Sequence, residues 1–437
     1  MHVDKTTLQD LSIFHHDEEQ SVFHHLNFTQ TNGGREQLRN ILSKPLDSIK
    51  SINDVQQTIA HLITVSDRWP VIITNGTVMV LEKFYDTPVE SYPHHPTSVH
   101  SHFYRIFNAP DFSLTKYSVE HFIGFVKGLE QIVLLINQNK SLQLKLWKER
   151  IEMLLRKSFI ETMLQLEKGK KLSPVEVLSF GAFIRHHFKH ESFELIDIYS
   201  KLDAYLSLAT ACKKFNYHFP VIEETDTPFF DAENLFHVQL STPVSYTVCL
   251  NKERNFLFLT GANMGGKSTF IKAMGIGVYL AHIGMGVPAT KMHLSLFDGI
   301  LSNIQVADNI VKGESFFFNE VKRIKSTVEK ISDGKKWLIL IDELFKGTNQ
   351  QDAIKCSITV IEGLRKMNNA IFVLSTHLYE IGEALKQYPN IQFRYFETSI
   401  IDDQLLFSYQ LKEGISNDRL GYLILKKEGV VEMLDKL

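Results

Sequence analysis

Ten residues, Thr260–Thr269 (TGANMGGKST), carry the densest chemistry in this chain. They fit GxxxxGK[ST], the form of a loop that cradles the phosphates of a nucleoside triphosphate, with Gly261, Gly265, Gly266, Lys267 and Ser268 at the fixed positions. Glycine lets the backbone curl until the N–H groups of 264–268 face one concavity. The lysine reaches the β- and γ-phosphates, and the serine hydroxyl ligates magnesium. ATP and Mg2+ are therefore the expected ligands. Asp342 and Glu343 follow about 75 residues later, at the end of the apolar run 336–341 (KWLILI). An aspartate there holds magnesium through its water shell, and the glutamate polarises a water for in-line attack. His377 follows a third apolar run, 370–375 (AIFVLS), where an imidazole can sense or orient the γ-phosphate. Lys267, Glu343 and His377 are the candidate catalytic side chains. Ser268 and Asp342 are the candidate metal ligands.

These groups need elements to hold them. Residues 255–260 (NFLFLT) predict a buried strand and 270–282 a helix, so the loop sits where a helix N-terminus lies under the phosphates. The runs 336–341 and 370–375 predict further buried strands, with a helix at 351–364 between them. Edge-like strands follow at 392–397 and 404–411, around a polar turn at 402–403. Unbroken apolar strands require helices on both sheet faces. Residues 221–250 read as short extended pieces.

Upstream the pattern is helical. Residues 1–30 are partly amphipathic, with Leu8, Leu11, Ile13, Phe14, Val22, Phe23 and Leu26 at helical spacing. Gly33–Gly34 breaks the pattern, a helix follows over 35–42, and another covers 52–63 with Asn53 or Asp54 as its cap. Residues 75–100 hold NG and three prolines and predict an irregular segment. Long rods follow at 117–138, 140–167, 173–187 and 191–215. Lys145, Lys148, Arg150, Arg156 and Lys157 form one basic run, and His186, His187, Lys189 and His190 another. Such runs are solvated faces or, alternatively, a footprint for nucleic-acid phosphates. The composition shift near Pro220 divides the chain into a helical domain, 1–220, and an α/β domain, 221–437.

At roughly 100–200 residues per domain, 437 residues allow two to four. Neither an 18-residue apolar run nor a basic-then-apolar leader is present, so no membrane partner and no secretion are expected. Cys212, Cys249 and Cys356 are scattered, without metal spacing, which favours a cytoplasmic setting. A net charge of −3 neither demands nor excludes nucleic acid.

TGANMGGKSTF at 260–270, DELFKGTN at 342–349 and STH at 375–377 together resemble the ATPase of the MutS family of DNA mismatch-repair proteins. Asn263 and Met264 between the glycines are specific to that family's loop, and with Thr269 they join the residues expected around ATP. DNIVKGESFFFNE at 308–320 resembles the family's signature region, with Gly313, Ser315 and Glu320 at matching positions. The resemblance implies that Gly313 and Ser315 act in trans, on nucleotide held by a partner, so that the ATPase domains form a homodimer with composite sites. The family's base-stacking aromatic falls near 243–246, which makes Tyr246 the candidate there. Residues 10–46 resemble the opening of the family's core or lever domain, through Thr31, Gly34, Arg35, Leu38, Arg39, Pro45 and Leu46. Residues 199–222 resemble the helix returning from the levers, around Leu202, Asp203 and Ala209. Ala262, Phe316 and Asn349 depart from the family's proline, threonine and serine.

The implied fold class is mixed: an all-α core/lever domain followed by a P-loop α/β ATPase domain of the ABC type. The family's mismatch-reading and connector domains are expected to be absent. The implied function is an ATPase that binds double-stranded or structured DNA and couples ATP hydrolysis to lever movement, in DNA repair or recombination. The alternative is an ATP-driven clamp or scaffold on a protein partner that never touches DNA.

Overall fold

A strand whose apolar run is continuous has to be covered on both faces, and that requirement builds the C-terminal half of the molecule. The computed structural model describes residues 1–89, 91–93, 96–167, 169–262, 264–304, 316–401, 404–416 and 430–434. Its strands are β1 (His2–Val3), β2 (Val221–Glu223), β3 (Phe230–Leu235), β4 (Tyr246–Leu250), β5 (Phe256–Thr260), β6 (Lys291–Ser295), β7 (Gly299–Asn303), β8 (Trp337–Asp342), β9 (Ala370–Ser375), β10 (Ile391–Ile401) and β11 (Gln404–Glu413). Its longer helices are α1 (Lys5–Asp10), α2 (Val22–Leu26), α3 (Asn32–Ser43), α4 (Ile49–Val65), α5 (Asn75–Asp86), α6 (Ser98–Phe107), α7 (Ala109–Leu135), α8 (Leu142–Leu155), α9 (Ser158–Leu164), α10 (Pro174–Ala182), α11 (Lys189–Phe215), α12 (Lys267–Ile283), α13 (Phe316–Ile331), α14 (Gln350–Leu364), α15 (Tyr379–Leu385) and α16 (Val430–Leu434). The architecture is mixed, with a helical N-terminal region and a sheet-bearing C-terminal region. Contacts gather the chain into two compact units: residues 1–25, 44–53 and 215–437, and residues 26–43 and 54–214.

In the first unit a seven-stranded sheet runs β1-β7-β8-β9-β5-β10-β11, and every pair but β10–β11 is parallel. β5 and β9 are buried along their whole length. Asp342 at the end of β8 stands opposite Ser375 at the end of β9. The carboxyl ends of β5, β8 and β9 therefore share one edge, the place where ligands bind in parallel sheets. A second sheet runs β2-β6-β3-β4. Of the apolar residues of 1–30, Leu11, Ile13, Val22, Phe23 and Leu26 are buried and Leu8 and Phe14 half-buried, but not on one helix. β1 adds to the main sheet beside β7, and α1 locks the far end of β7. The buried Asp10 carboxylate accepts from Ser302 Oγ at 2.5 Å and Ile304 N at 3.0 Å, and Ser302 N donates to Thr7 Oγ1. Asn349, the departure from serine, caps α14 by accepting from Asp352 N at 3.0 Å.

In the second unit several sequence expectations are corrected. Residues 75–100 are irregular only in part: 75–86 form α5 and 98–100 begin α6, while the described residues between them, Pro88, Pro93 and Pro96 included, lie in no helix or strand. The NG dipeptide lies in the first turn of α5, where a Thr74–Thr77 capping box and a buried face of Val78, Leu81, Phe84 and Tyr85 outweigh its turn tendency. Gly33–Gly34 likewise lies inside α3, because a Cβ on Gly34 would meet the Asp203 carboxylate at 2.0 Å. α4 starts at Ile49, so neither Asn53 nor Asp54 caps it. The Asp54 carboxylate accepts instead from Leu142 N at 2.7 Å and Gln143 N at 3.2 Å, at the start of α8. The rod expected over 140–167 is two helices, because Lys157 is extended and ends the run. In the basic run on these rods Lys148 pairs with Glu152, Arg150 with Glu194 and Lys157 with Glu191. Three of its five cations are thus neutralised within the unit.

Candidate nucleotide site at the strand ends

β5 ends at the buried Thr260, and the chain must turn at once into α12. Two glycines make the turn feasible. Gly261 has φ +131°, with the Phe396 carbonyl oxygen 3.1 Å from where a Cβ would stand. Gly266 has φ +110°, against the rings of Phe396 and Tyr409. An L side chain is strained at either position. Gly265 N donates to Ala262 O at 3.1 Å and closes the turn, while Met264 stands exposed at its tip. Lys267 begins α12 and is buried. Its ammonium donates to Gly261 O at 2.7 Å and Ala262 O at 2.8 Å, so the lysine braces the loop it belongs to. Burial lowers its pKa; the Asp342 charge opposes that shift and Lys346 adds to it. First-turn N–H groups of an α-helix lack intrahelical acceptors and carry the positive end of its dipole.

The acidic pair meets this loop. Asp342 Oδ2 accepts from Ser268 Oγ at 2.5 Å, and Oδ1 accepts from Ser375 Oγ. Glu343 then takes φ +73° and Phe345 φ +58°, two non-glycine residues in the left-handed region within three positions. Each such residue costs about 1–3 kcal/mol and persists only where its surroundings over-determine it. Glu343 N donates to Ser375 O at 2.9 Å. Its carboxylate is bonded to His377 Nδ1 on one oxygen and lies 3.0 Å from Lys346 Nζ on the other. Burial, reinforced by the Lys267 charge, lowers the pKa of His377. An ionised carboxylate can only accept, so Nδ1 carries the hydrogen of its bond to Glu343.

A cavity of about 640 Å³ opens over these groups. Gly266, Lys267, Ser268, Thr269, Asp342 and Glu343 line it together with Leu240, Val244, Tyr246 and Tyr409. His377 is not in the lining, but its Nδ1 is bonded to Glu343, which is. Tyr246 is buried, with its ring set edgewise against Phe270 and Phe396 at 5.2 and 5.7 Å. Tyr409, on β11, is 42% exposed and is the aromatic that sequence reasoning missed. The pattern of 404–411 marks it only as a strand residue; the pairing of β10 with both β5 and β11 carries it over Gly266. Asn263, Gly313 and Ser315 lie outside the described residues.

Among the described residues no group of three or more His, Cys, Asp or Glu side chains could hold a metal. The Ser268 hydroxyl and Asp342 carboxylate are hard oxygen donors facing the cavity. That set fits Mg2+, which keeps most of its own waters. No described helix is long and apolar enough to cross a membrane.

Residues 257–434 match the family model described as MutS domain V. The chain is similar to MutS protein homolog 4 of Homo sapiens, 32% identical over 239 residues, which cover 53% of this chain and 25% of that protein. It is 29% identical to the DNA mismatch repair protein MutS of Staphylococcus haemolyticus over 252 residues, 56% of this chain and 28% of the relative. The corresponding protein of Thermotoga maritima is 28% identical over 273 residues, 62% of this chain and 34% of the relative. The matched stretch thus spans only a quarter to a third of these relatives. Within those bounds the chain is a homologue of the MutS superfamily, and residues 257–434 carry its match to domain V.

Proposed function

We propose that this chain is a P-loop ATPase of the ABC type whose hydrolysis of ATP moves a helical core that holds DNA. The ATPase domain covers residues 221–437, with residues 1–25 and 44–53 packed in the same compact unit, and the core and levers lie within 1–220. One observation carries the reading. Lys267 and Ser268 after β5, Asp342 and Glu343 after β8, and His377 after β9 converge at the ends of three neighbouring parallel strands. Lys267 and the first-turn N–H groups of α12 bind phosphate oxygens. Ser268 and Asp342 hold Mg2+, which when bound offsets phosphate charge. Glu343 takes the proton of the attacking water, and His377, bonded to it, fixes its direction. Tyr409 offers the open ring for the base, with Tyr246 as the wall beneath. Gly313 and Ser315 act on the partner's nucleotide in a homodimer joined through the ATPase domains. DNA enters the reading from the relatives, two of which are named as DNA mismatch repair proteins. The setting is cytoplasmic.

The ATPase reading is tested by Glu343→Gln. General-base loss lowers turnover by about 100-fold or more, while ATP binding measured by calorimetry stays within about threefold of the parent. Unchanged phosphate release would sink the assignment. A second reading, a clamp or scaffold on a protein partner, is favoured by the internal pairing of Lys148, Arg150 and Lys157 and by the exposed apolar side chains of Val99, Phe103, Ile106 and Phe107 on α6.

A further inference from the structure

Glu320 lies one turn into α13 and is 2% exposed, a charged group that burial disfavours unless it is bonded. Its carboxylate spans two successive backbone donors: Oε1 accepts from Lys346 N at 3.1 Å and Oε2 from Gly347 N at 3.2 Å. Those residues close the loop that begins at Glu343 and contains both left-handed residues, Glu343 and Phe345. From the same first turn of α13, Phe317 packs on Phe345, ring centroids 5.7 Å apart. The loop then places Lys346 Nζ 3.0 Å from Glu343 Oε2. A strained loop with glutamate, phenylalanine and lysine side chains has no intrinsic reason to hold this shape. The buried carboxylate supplies one.

We propose that Glu320 is a positioning residue for hydrolysis. Through the N–H groups of Lys346 and Gly347 it holds the 343–347 loop in the conformation that aims the Glu343 carboxylate into the cavity and sets Lys346 beside it. This inference rests on the ATPase reading above. It adds a site of control to that reading: α13 and the hydrolytic carboxylate of the same chain are mechanically joined, so a displacement of α13 alters turnover without touching the phosphate loop. Lys267 and Ser268 depend on β5 and α12, not on Glu320, so nucleotide binding and hydrolysis separate.

The test uses the full chain with Glu320→Gln, Glu320→Asp, Glu343→Gln and the double variant Glu320→Gln with Glu343→Gln. kcat, KM and the thermal midpoint are measured with ATP and magnesium. Glu320→Gln places an amide NH2 against a backbone N–H. Glu320→Asp keeps the charge but withdraws it by one methylene, and it serves if the glutamine variant does not fold. The expected result is a fall in kcat of about 10-fold or more, with KM within about threefold, for either Glu320 variant. In the double variant the Glu320 change costs less than about twofold beyond Glu343→Gln, because Glu320 acts through that carboxylate. A residue that only holds the fold would shift the thermal midpoint and leave kcat of the folded fraction alone. Turnover within twofold of an active parent, or losses that multiply in the double variant, overturns the inference and leaves the ATPase reading standing. A parent that releases no phosphate overturns both.

Discussion

His282 near the end of α12 is completely buried. Its Nε2 accepts the N–H of Phe297 at 3.3 Å, which leaves Nδ1–H to donate to Leu46 O at 3.0 Å. Burial pushes its pKa down to about 4, and burial aided by Lys272 and His25 does the same to His237. Unfolded, both titrate near 6.5. Between pH 6.5 and about 4 the unfolded chain therefore binds more protons than the folded one, and stability falls as pH falls. At about 1.4 kcal/mol per pH unit, each histidine removes about 2 kcal/mol by pH 5. Glutamine can donate and accept in the same place, so in His282→Gln the difference in unfolding free energy between pH 7 and pH 5 shrinks by about that amount. Urea titrations at the two pH values measure it, and an unaltered difference would exclude His282 as the cause. At this scale the sequence marked the candidate phosphate loop, Asp342, Glu343 and His377, because their spacing relative to apolar runs is local information. It gave no sign of Tyr409 or His282 and marked Glu320 only by resemblance, because their roles depend on residues far away in the chain.

Elements are positioned by a few buried polar joints, of which the one between α3 and α11 is the clearest. The Asp203 carboxylate accepts from Gln30 N, Thr31 N and Thr31 Oγ1 at 2.7–3.1 Å, and Thr31 Oγ1 accepts from Gly34 N at 3.0 Å. The start of α3 is thereby capped by Thr31, whose hydroxyl is held in place by a carboxylate from another helix. This accounts physically for Thr31, Gly34 and Asp203, which the sequence reading set apart only by resemblance. Gly34→Ala drives a methyl into the carboxylate and costs about 2 kcal/mol or more. Gly76→Ala, whose nearest neighbour is Thr74 Oγ1 at 3.6 Å, is the control and changes stability by less than about 1 kcal/mol. Urea unfolding followed by helical circular dichroism distinguishes them; equal effects would mean that the glycine is not there for the close approach. Helix ends were the least legible feature. Thr74 caps α5, yet the NG beside it reads as loop, because propensity is weaker than burial of a helix face.

The whole molecule poses the question of cargo. With three of five cations on the basic run paired to glutamate, a phosphate footprint has to come from the remaining ones, among them Lys145 and Arg156, and from other faces. If duplex DNA is bound by neutralising four or more phosphates, log K falls against log salt with a slope of about −3.5 or steeper. Fluorescence anisotropy between 50 and 200 mM salt, on plain, mispaired, branched and single-stranded DNA (about twofold to fourfold steps suffice), measures that slope with and without ATP. A flat response would shift the reading to the protein-clamp alternative. Sedimentation with ATP and magnesium shows a dimer if the composite site is right, and a monomer throughout would remove it.

Composition and local pattern determined that the C-terminal half is an α/β sheet protein, where the glycine-rich turn after β5 lies and which acidic residue meets it. These follow from glycine's freedom, from uninterrupted apolar runs and from short-range spacing, all of which are written within a few residues. Only the tertiary structure decided that β1 pairs with β7, that Tyr409 overhangs Gly266, and that Glu320 grips the loop after Glu343. The physical reason is that strand order and buried hydrogen-bond partners are chosen by the packing free energy of the folded whole, which no short window of sequence contains.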